Sequence, residues 1–216
     1  MTGIPIKDAI TAAAKGDPMP TATEGMMKVK EQLDRMGLFA NPMRFAVFLG
    51  QTAHESLGFS VTSENLNYSA KRLMQVWPTR FRTSRVAWLY AYRPEKLANK
   101  VYGKRMGNNL PGDGWLYRGR GYLQLTGRDN YVDASVDLDI DIAAEPDRAE
   151  EPAVAWLVAA QYFASRSYRG KTAFEWADRG DDEAVTRIVN GGLHGLADRA
   201  LRTQRALNVL EAGWPV

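Results

Sequence analysis

The chain has 216 residues, no cysteine and a formal net charge of +3 at neutral pH. That length allows one large domain, or one core with a smaller lobe. Without cysteine neither a disulfide framework nor thiolate chemistry is possible, and synthesis in the cytosol fits best.

Ile6 to Lys15 reads as a short helix stopped by Gly16 and Pro18. A second helix is expected from about Glu24 to Met36, with Thr23 as its cap. Its Met26, Val29, Leu33 and Met36 fall at helical spacing and form a core-facing stripe. Asn41-Pro42 is a strong start signal, a capping side chain followed by proline at the first helical position. The segment behind it, Phe45 to Ala53, is almost wholly apolar, so this helix should be buried on most sides. Glu55 sits at its end, where the helix dipole and apolar neighbours favour the protonated acid that general acid catalysis requires.

Glu64 follows nine residues later. In one unbroken helix it would lie on the opposite face, about 13 Å further along. Gly58, Val61 and Thr62 argue instead that the helix stops and the chain turns. Two carboxyl groups facing a shared gap are the minimal equipment for hydrolysing a glycosidic bond.

Ser69 is placed to cap a short helix through Val76, and Pro94 to Tyr102 reads as another. Residues from about 70 to 114 therefore suggest a small inserted lobe, closed by the glycine-rich loop Gly103 to Gly114. Tyr122-Leu123-Gln124-Leu125-Thr126 alternates strictly. As a strand it would turn the two leucines to the core and Tyr122, Gln124 and Thr126 to a cleft; an ordinary half-buried strand gives the same pattern. The acidic stretch Asp137 to Glu151 reads as a solvated loop. A core helix then starts near Pro152, carrying Val154, Trp156, Leu157 and Phe163. A short helix from Asp181-Asp182, a tight turn at Asn190-Gly191-Gly192 and a last helix from about Ala197 to Leu210 complete the chain.

Other chemistries fare worse. His54-Glu55 lacks the second histidine of a zinc-binding His-Glu-x-x-His, and no metal or cofactor is expected. Gly119-Arg120-Gly121 lacks the lysine and serine of a phosphate-binding loop, and no Gly-x-Ser-x-Gly nucleophile elbow occurs. The mild positive charge suits an anionic polymer or, equally, solubility alone; no basic block or nucleic-acid module is present, so nucleic acid is not expected as a partner. No apolar run approaches the roughly 20 residues that span a bilayer, and residues 1–14 carry no signal-peptide core.

Several stretches together resemble glycoside hydrolase family 19, the chitinase family that also includes many bacteriophage endolysins. They are Ala53-His54-Glu55-Ser56, Glu64-Asn65-Leu66-Asn67-Tyr68-Ser69, Gly119 to Gly127 with Asn130-Tyr131, and Val189 to Leu193 with Asp198-Arg199. The resemblance implies a mainly α, lysozyme-like fold with a short β element and a small inserted helical lobe, forming a single catalytic domain. It matches Glu55 to the general acid, Glu64 to the general base and Thr126 to the hydroxyl that helps hold the attacking water. Gln124, Asn130 and Asn190 match sugar-binding positions; Tyr131, His54 and Arg199 are placed with them. An inverting mechanism implies a carboxyl separation of roughly 6.5–9.5 Å. The short interval between the glutamates resembles the endolysin branch. It implies a monomer acting on the glycan strands of bacterial peptidoglycan, with chitinase action or non-catalytic wall binding as rivals. Such a protein stays in the host cytoplasm until a separate membrane-permeabilising protein releases it. One departure stands out: His194 occupies the place of an acidic residue that pairs with the arginine matched by Arg199. Arg199 is then freer to reach Glu55, which would favour the ionised form of the acid, unless His194 is simply a loop or core residue.

Overall fold

The computed structural model describes residues 3–16 and 18–215. Its helices, in chain order, are α1 (Ile6–Ala14), α2 (Pro20–Lys28), α3 (Lys30–Arg35), α4 (Pro42–Glu55), α5 (Ala70–Val76), α6 (Ser84–Trp88) and α7 (Pro94–Tyr102). They continue with α8 (Asp113–Leu116), α9 (Arg128–Leu138), α10 (Pro152–Ser165), α11 (Ala173–Ala177), α12 (Asp182–Asn190) and α13 (Leu196–Gly213). Strands β1 (Ser167–Tyr168) and β2 (Lys171–Thr172) pair antiparallel, with Ser167 opposite Thr172. The fold is mainly α, as expected. It divides into two compact units: Met1–Thr62 with Arg120–Gln124 and Asp147–Val216, and Ser63–Gly119 with Leu125–Pro146.

In the larger unit α4 is the central element. The Asn41 side chain accepts the Arg44 N–H at 2.8 Å, so the start signal works as the sequence predicts. Every residue from Phe45 to Ala53 is buried. Helix α13 packs along α4, and Gly50 makes the approach possible. A Cβ there would collide with Thr203 Oγ1 and lie 2.9 Å from the Arg199 carbonyl oxygen. Helix α10 is buried from Val154 to Gln161. Its Trp156 ring centroid lies 5.8 Å from Phe48, 5.1 Å from Phe59 and 4.4 Å from Tyr122. Full burial of side chains of this size contributes about 1.5–3 kcal/mol each.

Three expectations fail here. The helix expected over Glu24–Met36 is two helices, broken at Val29 (φ −113°, ψ 16°), and Thr23 lies inside the first. Pro20 supplies the start, because its fixed φ suits the first helical position without a side-chain cap. The strand expected at Tyr122–Thr126 is a turn. Gly121 (φ +76°) and Gln124 (φ +54°) are both left-handed, which no strand accommodates. Tyr122 is consequently driven into the aromatic cluster at 1 % exposure instead of facing a cleft. The β element lies at 167–172 instead, where Arg169 (φ +48°) and Gly170 (φ +76°) provide the two positive-φ residues of a tight hairpin.

The smaller unit has its own core of Leu66, Leu73, Phe81, Leu97 and Val101. Ser69 caps α5 by accepting the Arg72 N–H at 3.3 Å, and Gly114 lets α8 close on α7, since a Cβ there would sit 2.6 Å from the Ala98 carbonyl oxygen. Asp113, only 2 % exposed, pairs with Arg128 at 2.5 Å. That hydrogen-bonded pairing holds its carboxyl below the usual range.

The acidic stretch is not simply a solvated loop. It opens as the end of α9 and closes in a 3₁₀ turn over Pro146–Glu150. In the larger unit the Arg120 guanidinium, 1 % exposed, donates to Asp147 at 2.6 Å and to Glu150 at 3.0 Å. Buried charge must be paired, and these two carboxylates hold the Arg120 guanidinium.

Candidate active site

Glu55 ends α4, and the chain leaves it through a sharp left-handed turn. Leu57, Gly58 and Phe59 have φ of +50°, +71° and +66° in succession. For the two non-glycine residues this conformation costs roughly 1–2 kcal/mol each. Burial of Phe59 (1 % exposed) against Tyr122 and Trp156 offsets it. At Gly58 a Cβ would come within 2.8 Å of the Ala14 carbonyl oxygen. The buried Ser56 hydroxyl donates to the Thr52 carbonyl at 2.7 Å and accepts the Phe59 N–H at 3.0 Å. Glu55 is therefore carried on a rigid helix end.

The partner of Glu55 is Arg199, on α13. Its guanidinium, 1 % exposed, pairs with the Glu55 carboxylate, donates to Gln51 Oε1 at 2.8 Å and donates to the His194 carbonyl at 3.1 Å. Gln51 in turn donates to Thr186 Oγ1 at 3.0 Å. Below this lies Asp182. Burial pushes its carboxyl up, against hydrogen bonds from Thr203 and Gln51. The imidazole of His194 is exposed; its backbone carbonyl, not its ring, meets Arg199. His194 is thus a loop residue, and Glu55 is the carboxylate that pairs with Arg199.

His54 has a different part. Its Nδ1 lies 2.8 Å from Asp198 Oδ2, and Asp198 also pairs with Lys15 and, at 2.6 Å, with Arg202. Burial raises the Asp198 carboxyl, but the hydrogen bonds from Lys15, Arg202 and His54 outweigh it and hold the group well below the usual carboxylate range. Gly195 makes room for the His54 ring, which a Cβ would strike. His54 fastens α13 beside Glu55. Asn190 is exposed at the end of α12, where Gly191 (φ +75°) caps the helix.

The second carboxylate stands in the smaller unit. The Glu64 N–H donates to the Gly119 carbonyl at 2.9 Å. Its Oε2 accepts the Gly119 N–H at 3.3 Å, and its Oε1 accepts the Tyr102 hydroxyl at 2.5 Å. Burial pushes the Glu64 carboxyl up, and the Tyr102 and Gly119 hydrogen bonds and the nearby Arg118 charge pull it back only in part. Burial and Glu64 together raise the Tyr102 phenol strongly, so Tyr102 remains a proton donor to the carboxylate.

The remaining sequence-predicted residues divide. Thr126 and Asn130 both belong to the smaller unit, where the Asn130 amide donates to the Thr126 carbonyl at 2.7 Å. Gln124 lies in the larger unit and donates to the Gly121 carbonyl at 3.1 Å. Tyr131 is fully buried, so it does not contact substrate; its hydroxyl donates to the Arg118 carbonyl at 2.9 Å and positions that residue. Sequence reasoning missed Tyr102 and Tyr162. Tyr162 donates to the Ile188 carbonyl at 2.9 Å; burial raises its phenol and Glu55 adds to the rise. Among the described residues no group of three or more histidine, aspartate or glutamate side chains is arranged to hold a metal ion.

No family model matches the chain. A Haemophilus influenzae protein described as a glycosyl hydrolase family 19 domain-containing protein is 38 % identical over 195 residues, covering 89 % of this chain and 92 % of its own length. Chitinase 12 of rice is 27 % identical over 179 residues. This chain spans about half the length of that and the other plant chitinases it matches, 49 % in the case of chitinase 12. Among solved structures, chitinase C from Streptomyces griseus superposes with a TM-score of 0.64 at 20 % identity, over 98 % of this chain and 78 % of that one. A bacterial family 19 chitinase gives 0.50 at 21 % identity, over 94 % of this chain and 84 % of that one. The molecule is a glycoside hydrolase. The 38 % identity across nearly the whole chain gives the family: it belongs to glycoside hydrolase family 19.

Proposed function

We propose that this protein is an endolysin that hydrolyses the β-1,4 linkages of bacterial peptidoglycan glycan strands, by inversion, with Glu55 as general acid and Glu64 as general base. The observation that carries the reading is the run Glu64-Asn65-Leu66-Asn67-Tyr68-Ser69, nine residues after Glu55, with its carboxylate held by Tyr102 and the Gly119 N–H. In the reaction a water oxygen bonds to the anomeric carbon as the glycosidic C–O bond breaks. Glu64 takes the water proton, and Glu55, which enters the step protonated beside Arg199, delivers its proton to the departing oxygen; exchange with solvent then returns a proton to Glu55 and removes one from Glu64. The burial that raises Glu64 makes it a stronger base. Thr126 steadies the water, while Gln124, Asn130 and Asn190 bind sugar. Arg199 and His54 position Glu55, and Tyr131 positions Arg118.

In this reading the protein works as a monomer in host lysis and reaches the wall after a separate protein permeabilises the membrane. The second reading, a chitinase acting on β-1,4 N-acetylglucosamine, is favoured by the names of the plant and Streptomyces proteins. Reducing ends released from purified peptidoglycan and from chitin, by wild type, Glu55→Gln and Glu64→Gln, test the proposal. Release from peptidoglycan that both substitutions abolish supports it; release from chitin alone transfers the protein to the second reading.

A further inference from the structure

Beside Glu64, wholly within the smaller unit, lies a pocket of ≈ 460 Å³ lined by Asn65, Asn67, Tyr68, Ser69, Arg72 and Tyr92. Three features mark it as more than a surface dent. First, the Tyr92 backbone is left-handed (φ +56°) although the residue is a bulky aromatic, and the residue is 60 % exposed. Its N–H is fixed to the Tyr68 carbonyl at 2.9 Å. Strain of this kind persists where the surroundings impose it, and it is found most often at functional sites. Here the fold uses it to present an open aromatic face instead of burying the ring.

Second, Arg72 is exposed on α5, and among the described residues no carboxylate lies within ion-pair distance of it. Its side-chain contact is a long 3.4 Å approach to the neutral Gln75 amide. Third, Tyr68 links the pocket to the carboxylate. Burial raises its phenol, the Glu64 charge raises it further, and the Arg72 charge opposes them. The cation, the phenol and the carboxylate thus belong to one electrostatic neighbourhood.

We propose that this pocket is a subsite for a carboxylate-bearing sugar of the glycan, with Tyr92 stacking on the sugar face and Arg72 pairing with the carboxylate. The inference rests on the peptidoglycan reading and gives it a specificity element. A polymer of N-acetylglucosamine offers no anion to Arg72. Wall glycan carries one on the lactyl ether of muramic acid when the peptide is removed, and others on the stem peptide when it is present. An arginine fork suits either source through paired, charge-assisted hydrogen bonds. Aromatic rings suit the apolar face of a pyranose.

The test is calorimetric binding of soluble glycan strands in three forms: peptide-bearing, amidase-stripped with free lactyl carboxylates, and stripped with those carboxylates capped as amides; in these titrations wild type and variants alike carry Glu55→Gln, so that no strand is cleaved. Wild type should bind a carboxylate-bearing form about tenfold more tightly than the capped one, the span of one charge-assisted contact. Arg72→Gln should erase that preference and Arg72→Lys should restore part of it. A preference confined to stripped strands assigns the lactyl group, and one confined to peptide-bearing strands assigns the stem. Tyr92→Gly should weaken all three forms alike while its thermal midpoint stays level or rises, because glycine accepts the left-handed backbone. Equal binding of charged and capped strands by wild type, or a preference that survives in Arg72→Gln, overturns the subsite. The function reading fails separately, if wild type releases no reducing ends from intact peptidoglycan.

Discussion

The Arg199 guanidinium, 1 % exposed, pairs with the Glu55 carboxylate at the end of α4. If Glu55 is the general acid, as proposed, this pair joins catalysis to folding, because the same guanidinium also satisfies Gln51 and the His194 carbonyl. Removing one member of a buried pair costs about 3–5 kcal/mol, mostly because the other is left uncompensated. Glu55 is about a quarter exposed, 23 % by side chain, so water softens the loss. Arg199→Ala should therefore lower stability by about 2–4 kcal/mol in urea titration. Arg199→Lys keeps the charge but not the three-way fork, and should lose about half as much. A wild-type midpoint for Arg199→Ala would mean that the pair contributes nothing.

Gly50 is where α4 and α13 come close enough for that pair to form. Gly50→Ala puts a Cβ into Thr203 Oγ1 and within 2.9 Å of the Arg199 carbonyl oxygen. Overpacking of this kind costs about 1–3 kcal/mol, and the displaced α13 should carry Arg199 away from Glu55. Differential scanning calorimetry and activity should fall together. Unchanged activity at an unchanged midpoint would show that the helices separate freely.

Tyr102 donates to Glu64 at 2.5 Å and is among the groups that hold its raised carboxyl down. Tyr102→Phe removes that hydrogen bond, so the Glu64 proton should be lost only at higher pH. If Glu64 is the base, as proposed, it must be ionised, and the acidic limb of kcat/KM should move upward. The pH profile reads this directly, and a limb that stays in place or moves downward would detach Tyr102 from the base.

Asp198 governs the dependence of stability on pH at the other carboxylate. Its folded value is depressed below the ordinary 3.8 by Lys15, Arg202 and His54 against the opposing effect of burial. A depressed carboxyl contributes stability that is present above its unfolded value and is lost as pH falls through the folded one. Asp198→Asn should accordingly be about 1–2 kcal/mol less stable than wild type at neutral pH. The difference should shrink as the pH falls below the ordinary 3.8. A gap that stays constant down to strongly acidic pH would mean packing, not charge, is responsible.

Helix α4 was readable because its signals are local: Asn41-Pro42 to start it, an apolar run to bury it and Gly58 to turn the chain out of it. Glu55, Glu64 and Arg199 were readable as motif positions. The alternation at Tyr122–Thr126 misled because a strand pattern depends on extended backbone, and Gln124 takes a left-handed φ that its type does not announce. Helix α9 escaped notice for a related reason: its Val132 and Val136 are 43 % and 75 % exposed, so no apolar face marks it. Tyr102 lies 38 residues from Glu64, and tertiary packing alone brings the hydroxyl to the carboxylate. The acidic stretch before α10 looked merely solvated because the cation it pairs with, Arg120, is 27 residues from Asp147.

If Glu55 and Glu64 hydrolyse a sugar–sugar bond of the bacterial wall, as proposed, each cut creates a new reducing sugar. Mass spectrometry of the fragments released from purified peptidoglycan tests it most directly, since borohydride reduction labels each new reducing sugar. Wild type should release disaccharide-based muropeptides that have gained one water at a reducing amino sugar, and Glu55→Gln and Glu64→Gln should release none. Fragments cut in the peptide with the glycan intact, or reducing sugars that persist in either variant, would contradict it.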